Sequence, residues 1–338
     1  MISEEFSFPS SEKGQTIYGR AYLPYGEVRG IVQFAHGMCD YGERYEELFR
    51  ELTDCGFVAA YADHLGHGQS IRDEEDLGFF AHEDGYLKVV ADFARFYDIL
   101  DENFPNRKHF VMGHSMGSFI VRYFMSTYRK NMAGAVLMGT SGPNPLAGVG
   151  ALVAKAVALL RGDGYRSGLL EKMAFGSYNK RIEEPISPWA WLSRDQRMVS
   201  SFERDELRNR TFTASAFKDL FTLVHEVNLI STMEDTPKEL PILLISGQED
   251  PLGNYGKGIH RLEDTFSSIG LQDVHSVLLP GARHELCHEY DRDVMYETLI
   301  DWLYRRASRD IVLTFPAEED PLDFENNWED DEESEEQY

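Results

Sequence analysis

The sequence is poor in basic residues and in cysteine, and it contains no long uninterrupted apolar run. Against 58 Asp and Glu stand only 33 Lys and Arg, a formal charge of −25. So acidic a chain argues against a nucleic-acid backbone as partner, because binding phosphates requires clustered cations. The three cysteines, Cys39, Cys55 and Cys287, are too sparse for a disulfide framework and fit a reducing compartment, so a cytoplasmic protein is expected. The first twenty residues lack the basic-then-apolar order of an export signal. The most apolar stretch, residues 146–160, is too short to span a bilayer and carries Lys155. Apolar residues still make up 42% of 338, enough for a sizeable core without disulfides or metals to staple it.

The shortage of cations is uneven. Residues 316–338 hold twelve acidic side chains and no Lys or Arg. Such a block repels itself and buries too little apolar surface to offset chain entropy. The expectation is a solvated, disordered tail from residue 309 onward. An acidic docking tail anchored by Phe324 and Trp328 is the sharper alternative.

The first 140 residues alternate strand and helix signals. Residues 15–23, 30–35, 57–62, 109–112 and 134–138 read as strands. Helical spacing is present at 41–55, 85–100 and 116–128. Short apolar strands separated by helices predict a mostly parallel sheet covered on both faces, an α/β fold. From 146 to 228 only helix-like stretches occur, and the alternation then resumes with strands at 242–246 and 275–279 and helices at 256–269 and 291–306. The division expected is a core over residues 1–145 and 231–308, interrupted by an all-helical cap over 146–230. The apolar stretch 146–160 reads as an ordinary buried helix or as a lid face that meets lipid.

The strongest chemical signal is Gly113-His114-Ser115-Met116-Gly117. A strand leads in and a helix leads out, the setting in which G-x-S-x-G lifts a serine above the sheet edge at a helix N-terminus. A serine hydroxyl needs a base, and the base needs an orienting acid. In this architecture both follow the serine in the order acid, then histidine. Asp250 comes just after the strand at 242–246, with Glu249 its competitor, and His284 just after the strand at 275–279. Two backbone N–H groups are required for the oxyanion. Met116, next to the serine, is one, and Met38, in the loop after His36-Gly37, is the expected other. This chemistry calls for no metal and no organic cofactor.

Together, His36-Gly37-Met38, residues 63–70 (DHLGHGQS), the Ser115 turn, Gly247 with Asp250-Pro251, and Gly281-Ala282-Arg283-His284-Glu285 resemble the lysophospholipase and monoacylglycerol lipase branch of the α/β-hydrolases, grouped with the S33 serine aminopeptidases. The resemblance covers residues 15–306. It implies the α/β-hydrolase fold, a Ser115–Asp250–His284 triad with Met38 and Met116 as oxyanion donors, a cap, and esters of monoacyl lipids as substrates. It also implies that His64 and His67 are structural. The loop after His36-Gly37 reads Met-Cys-Asp-Tyr, a departure that bears on the shape of the acyl pocket.

Three rival readings remain, one of them a non-catalytic binding protein on a hydrolase scaffold, against which the complete set of Ser115, Asp250 and His284 and both turn glycines argue. His284-Glu285-Leu286-Cys287-His288 matches H-E-x-x-H, a zinc signature that needs both histidines on one face of a formed helix. Pro280 and Gly281 set His284 on a loop instead. A peptidase of the same fold would need a cap carboxylate to grip a free amine, and Glu171, Glu183 and Glu184 are candidates. The partners expected are a small ester or lipid substrate and transient membrane or micelle contact through the cap, with no nucleic acid.

Overall fold

The computed structural model describes residues 2–208 and 210–308, so the acidic tail expected from residue 309 lies outside the described residues. Strands β1 (Ile2–Pro9) and β2 (Thr16–Leu23) form an antiparallel hairpin. Strands β3 (Gly30–Ala35), β4 (Phe57–Ala62), β5 (Lys108–His114), β6 (Met132–Met138), β7 (Ile242–Gly247) and β8 (Val274–Leu279) are mutually parallel, and β2 joins β4 antiparallel. The order across the sheet is β1-β2-β4-β3-β5-β6-β7-β8. Helices α1 (Glu46–Asp54), α2 (Gly85–Asn103) and α3 (Met116–Thr127) intervene between the early strands. Five helices follow β6 without a strand: α4 (Ala147–Arg161), α5 (Gly168–Phe175), α6 (Gln196–Arg204), α7 (Ala214–Glu226) and α8 (Ile230–Glu234). The chain then returns to β7, and α9 (Lys257–Ser268) and α10 (Arg292–Ala307) complete it.

The central strands are apolar at successive positions because both their faces are covered. Val111, Ala135, Leu137 and Leu244 pack toward α2, α3 and α9, while Phe110, Met112, Val136 and Leu243 pack toward α1 and α10. The mostly parallel sheet flanked by helices agrees with the fold expected from sequence. Strand β1 was not anticipated. Its Ser3, Glu4, Glu5 and Ser7 mask any apolar alternation, and only Phe8 is buried; pairing along the whole of β2 fixes it instead.

Helix α4 corrects the buried-helix reading of residues 146–160. Its buried stripe is small, Ala147, Gly150, Ala154 and Ala158, and it lies against α7, where Phe221 crowds Gly150. Leu152, Leu159 and Leu160 point outward and are 69%, 79% and 82% exposed. Close helix packing selects the small residues inward and leaves the leucines in solvent. Both ends of the helical segment are tied to α3 by Arg122, whose guanidinium donates to Ser141 O at 3.0 Å, Val227 O at 2.7 Å and Asn228 Oδ1 at 2.9 Å. Burial pulls the Arg122 pKa down to about 9, so it remains charged at neutral pH. Among the described residues no helix is long and apolar enough to cross a membrane.

Candidate active site

Strand β5 runs through His114, and α3 begins at Met116, so Ser115 alone makes the turn between them. It does so at φ 54° and ψ −119°, a left-handed conformation that costs a non-glycine residue about 1–3 kcal/mol. The turn is anchored by Ser115 N–H to Met138 O at 3.0 Å and by Ser118 Oγ to Ser115 O at 2.6 Å. Both flanking glycines are forced by space. A Cβ on Gly113 would stand 2.2 Å from Gly117 O, and one on Gly117 would stand 2.0 Å from Ala35 O.

His284 and Asp250 meet from the loops after β8 and β7. His284 Nδ1 lies 2.9 Å from Asp250 Oδ2, and both residues are buried. Asp250 is itself fixed: its Oδ1 accepts from Leu252 N–H at 2.8 Å, and its Oδ2 is 3.4 Å from Ser246 Oγ. Because an ionised carboxylate only accepts, Nδ1 carries the imidazole proton and Nε2 is left as a base. Glu249, the competing acid, is exposed. The His114 ring lies 4.8 Å from that of His284, and Trp191 lies 4.9 Å away.

The Met38 loop rests on buried histidines. His64 N–H donates to His36 Nε2 at 3.0 Å, and Cys39 N–H donates to His67 Nε2 at 3.2 Å. Burial holds the His36 and His64 pKa values well below the ordinary range and that of His67 at about 4, so all three are neutral braces. The backbone N–H groups of Met38 and Met116 donate to no described residue, which leaves one free donor on the loop after β3 and one at the first residue of α3.

Beside these loops lies a buried quartet of charges. Arg44 pairs with Asp40 Oδ1 at 2.7 Å and with Glu285 Oε2 at 3.0 Å, while Arg208 pairs with Glu285 Oε1 at 2.6 Å. Burial alone would raise the Glu285 pKa, but the two guanidiniums hold it well below the carboxylate range. Tyr45 Oη bridges Asp40 Oδ2 at 2.7 Å and His114 Nδ1 at 2.8 Å. Asp40, Arg208 and Glu285 line one cavity together with Met38, Ser115 and His284, and Phe175, Trp189, Trp191, Leu192 and Phe202 supply its outer wall. Its free volume is about 40 Å³, room for a few water molecules. Two donors in the wall, Trp191 Nε1 and Arg208 Nη1, are buried without a hydrogen-bond partner.

Residues 26–291 match the family model described as Serine aminopeptidase, S33. The chain belongs to that family. The S33 match agrees with the resemblance read from the motifs. The chain is 26% identical over 302 residues to the monoacylglycerol lipase of Mycolicibacterium smegmatis, covering 88% of this chain and 96% of that one. It is likewise 26% identical over 309 residues to the human monoglyceride lipase, covering 87% and 89%. The crystal structure of a thermostable carboxyl esterase from Bacillus coagulans superposes with a TM-score of 0.84 at 30% identity, covering 91% of this chain and 99% of that chain. This S33 member is a serine hydrolase of the α/β-hydrolase fold.

The five site residues expected from sequence therefore gather on neighbouring loops: Ser115, Met38 and His284 line the cavity, Asp250 stands behind His284, and Met116 follows Ser115. Glu183 and Glu184 are exposed, and neither they nor Glu171 line the cavity. The H-E-x-x-H stretch is a loop followed by a short 3-10 turn at Leu286–His288, with Glu285 held by two arginines, so its histidines do not share a helix face. Sequence reading missed Arg208, and it marked the Met-Cys-Asp-Tyr loop without the ion pairs that Asp40 makes there. Arg208 lies in no recognisable motif, and the quartet forms only when the helical segment packs on the core.

Proposed function

We propose that this protein hydrolyses carboxylic esters of monoacyl lipids, with monoacylglycerols as the best substrates. The observation that carries this reading is the buried His284–Asp250 contact on the cavity that holds Ser115, beneath an aromatic wall. In the proposed reaction His284 Nε2 takes the Ser115 proton as Oγ attacks the ester carbonyl. The Met38 and Met116 N–H groups hold the oxyanion, and His284 then protonates the departing alcohol. Water, activated by the same imidazole, releases the fatty acid and frees Ser115.

The cavity favours an uncharged head group. Its two carboxylates, Asp40 and Glu285, are already neutralised by Arg44 and Arg208, so no anion is left to hold a choline or a peptide's free amine. The unpartnered Trp191 and Arg208 donors call for acceptor oxygens, which the hydroxyls of a glyceryl ester supply. Residues 146–230 act as the cap in this reading. A free volume of about 40 Å³ admits no acyl chain, so the cap must shift to load one. The exposed leucines of α4 face lipid while it does so.

The test is turnover of a chain-length series of p-nitrophenyl esters and monoacylglycerols by the wild type, by Ser115→Ala and by an EDTA-treated sample. Ester cleavage that is lost in Ser115→Ala and indifferent to EDTA is expected. Activity that survives Ser115→Ala would overturn the reading, and cleavage of aminoacyl amides in preference to esters would transfer it to the peptidase class.

A further inference from the structure

Arg208 reaches into the core from the loop between α6 and α7; the residue is 3% exposed, and its guanidinium carbon lies over the Phe202 ring, 4.0 Å from the centroid. Its Nε donates to Cys39 O at 3.1 Å, and its Nη2 donates to Glu285 Oε1 at 2.6 Å. Cys39 follows Met38, and Glu285 follows His284. One planar fork therefore grips the residue after a proposed oxyanion donor and the residue after the proposed base.

The Cys39 backbone needs such a grip. Its φ is 51°, a strained value for a residue with a Cβ. His67 holds its N–H from the core side, and Arg208 holds its C=O from the helical segment. The core's own Arg44 joins Asp40 to Glu285 but touches neither peptide group of Cys39. The charge chemistry suits a brace rather than a titrating switch, because a guanidinium stays protonated and its bonds are directional.

We propose that Arg208 is a positioning residue through which seating of the helical segment completes the catalytic geometry. With Arg208 withdrawn, Arg44 still joins Asp40 to Glu285, but the Cys39 carbonyl loses its donor and the strained peptide after Met38 is no longer tied to the His284 loop. Only with it in place are the oxyanion donors and the imidazole held in register. This inference rests on the roles proposed above for Met38 and His284.

The experiment measures kcat and KM on a monoacylglycerol, together with the rate at which a fluorophosphonate labels Ser115. The proteins are the wild type, Arg208→Ala, Arg208→Lys and Arg210→Ala. Arg210 sits in the same loop, is half-buried and pairs with the exposed Glu74, so its variant controls for loss of a cation and keeps near-wild-type activity. A displacement of about 1 Å costs about a hundredfold in rate. The expected result is a fall of that size in kcat and in labelling rate for Arg208→Ala, over and above any rise in KM from losing the Nη1 contact to the head group. Guanidinium at low millimolar concentration should restore part of the loss, whereas methylammonium should not. Arg208→Lys preserves the buried charge, and hence the fold, but reaches only one of the two partners, so it should also lose kcat.

Wild-type kcat in folded Arg208→Ala overturns the proposal, as does a change confined to KM. If the alanine variant does not fold, wild-type kcat in Arg208→Lys overturns it equally. A folded variant that loses activity but does not respond to guanidinium points to diffuse structural damage and also counts against it. A wild type that is labelled at Ser115 yet cleaves no monoacylglycerol refutes the substrate reading alone, and the labelling rates still decide on Arg208. A wild type that is not labelled refutes both.

Discussion

Given the roles proposed above for Asp250 and His284, replacing Asp250 by Asn should disable the enzyme while leaving its shape intact. Asp250 Oδ1 accepts from Leu252 N–H at 2.8 Å, and Oδ2 faces His284 Nδ1 at 2.9 Å. In the variant, one of these positions must hold an NH2 group. Were the amide oriented with its nitrogen toward Leu252, two donors would meet at 2.8 Å, so the backbone selects the other orientation. The amide nitrogen then points at His284 Nδ1, which must accept. That choice moves the imidazole proton to Nε2, the nitrogen that has to be bare to receive the Ser115 proton. Holding a catalytic histidine in the wrong tautomer costs about 10⁴ in kcat, or about 5.5 kcal/mol. Steady-state hydrolysis of a soluble ester measures the loss, and a melting curve within a few degrees of wild type confirms that folding is unaffected. Glu249→Gln, at the exposed neighbour, should retain full activity. Loss of activity in Glu249→Gln, with Asp250→Asn unharmed, would refute the assignment.

Three further outcomes are expected. Asp219 on α7 is buried, its Oδ2 has no hydrogen-bond partner, and burial raises its pKa to about 7. A carboxyl whose pKa is raised by folding favours the native state when protonated and opposes it as pH climbs from its unfolded value near 4 toward 7. Asp219→Asn should therefore stabilise the protein at pH 8 by a few kcal/mol at most, since each tenfold difference in proton affinity between the folded and unfolded chain is worth about 1.4 kcal/mol. Thermal melts at pH 4 and pH 8 check the sign, because the advantage should vanish at the acid end. Gly117→Ala puts a Cβ 2.0 Å from Ala35 O; backbone on both sides leaves no room to yield, and denaturant titration should show a loss of about 3 kcal/mol or more. Changing Leu159 and Leu160 together to Ser should leave turnover of a dissolved short-chain ester unchanged and lower turnover of vesicle-borne substrate, and equal effects on both would remove α4 from the lipid interface.

The site was legible in sequence to the extent that its residues stand in short motifs with local geometric causes. Gly113 and Gly117 are visible because a strand-to-helix turn this tight excludes side chains, and Asp250 and His284 because each follows an apolar strand. What could not be read is everything that depends on distant packing. Arg208 is an ordinary arginine in a charged stretch until the segment between β6 and β7 folds over the core. The leucines of α4 look like core residues because hydrophobicity cannot say which stripe of a helix is pressed against a neighbour, and small residues won the inward side. Strand β1 escaped notice for a related reason: it is held along its length by β2 and buries only Phe8, with Phe6 partly covered.

The contacts behind His284 also carry an inventory of protons. From Asp40 Oδ2 to Tyr45 Oη, from Tyr45 Oη to His114 Nδ1, and from His114 Nε2 to the His284 carbonyl oxygen at 3.2 Å run three successive polar contacts. Burial raises the Asp40 pKa, but Arg44 and Arg208 outweigh it and keep the carboxyl ionised, while burial and the neighbouring His284 hold the His114 pKa at about 4. With the carboxylate bare and the imidazole neutral, the phenol and one ring nitrogen supply two hydrogens for three contacts. The shortfall has a use. With Asp40 ionised, a third hydrogen would make His114 a cation 4.8 Å from the ring of His284, where it would repel the imidazolium that the proposed reaction forms as Ser115 gives up its proton. The place for positive charge is thus kept open until the reaction needs it.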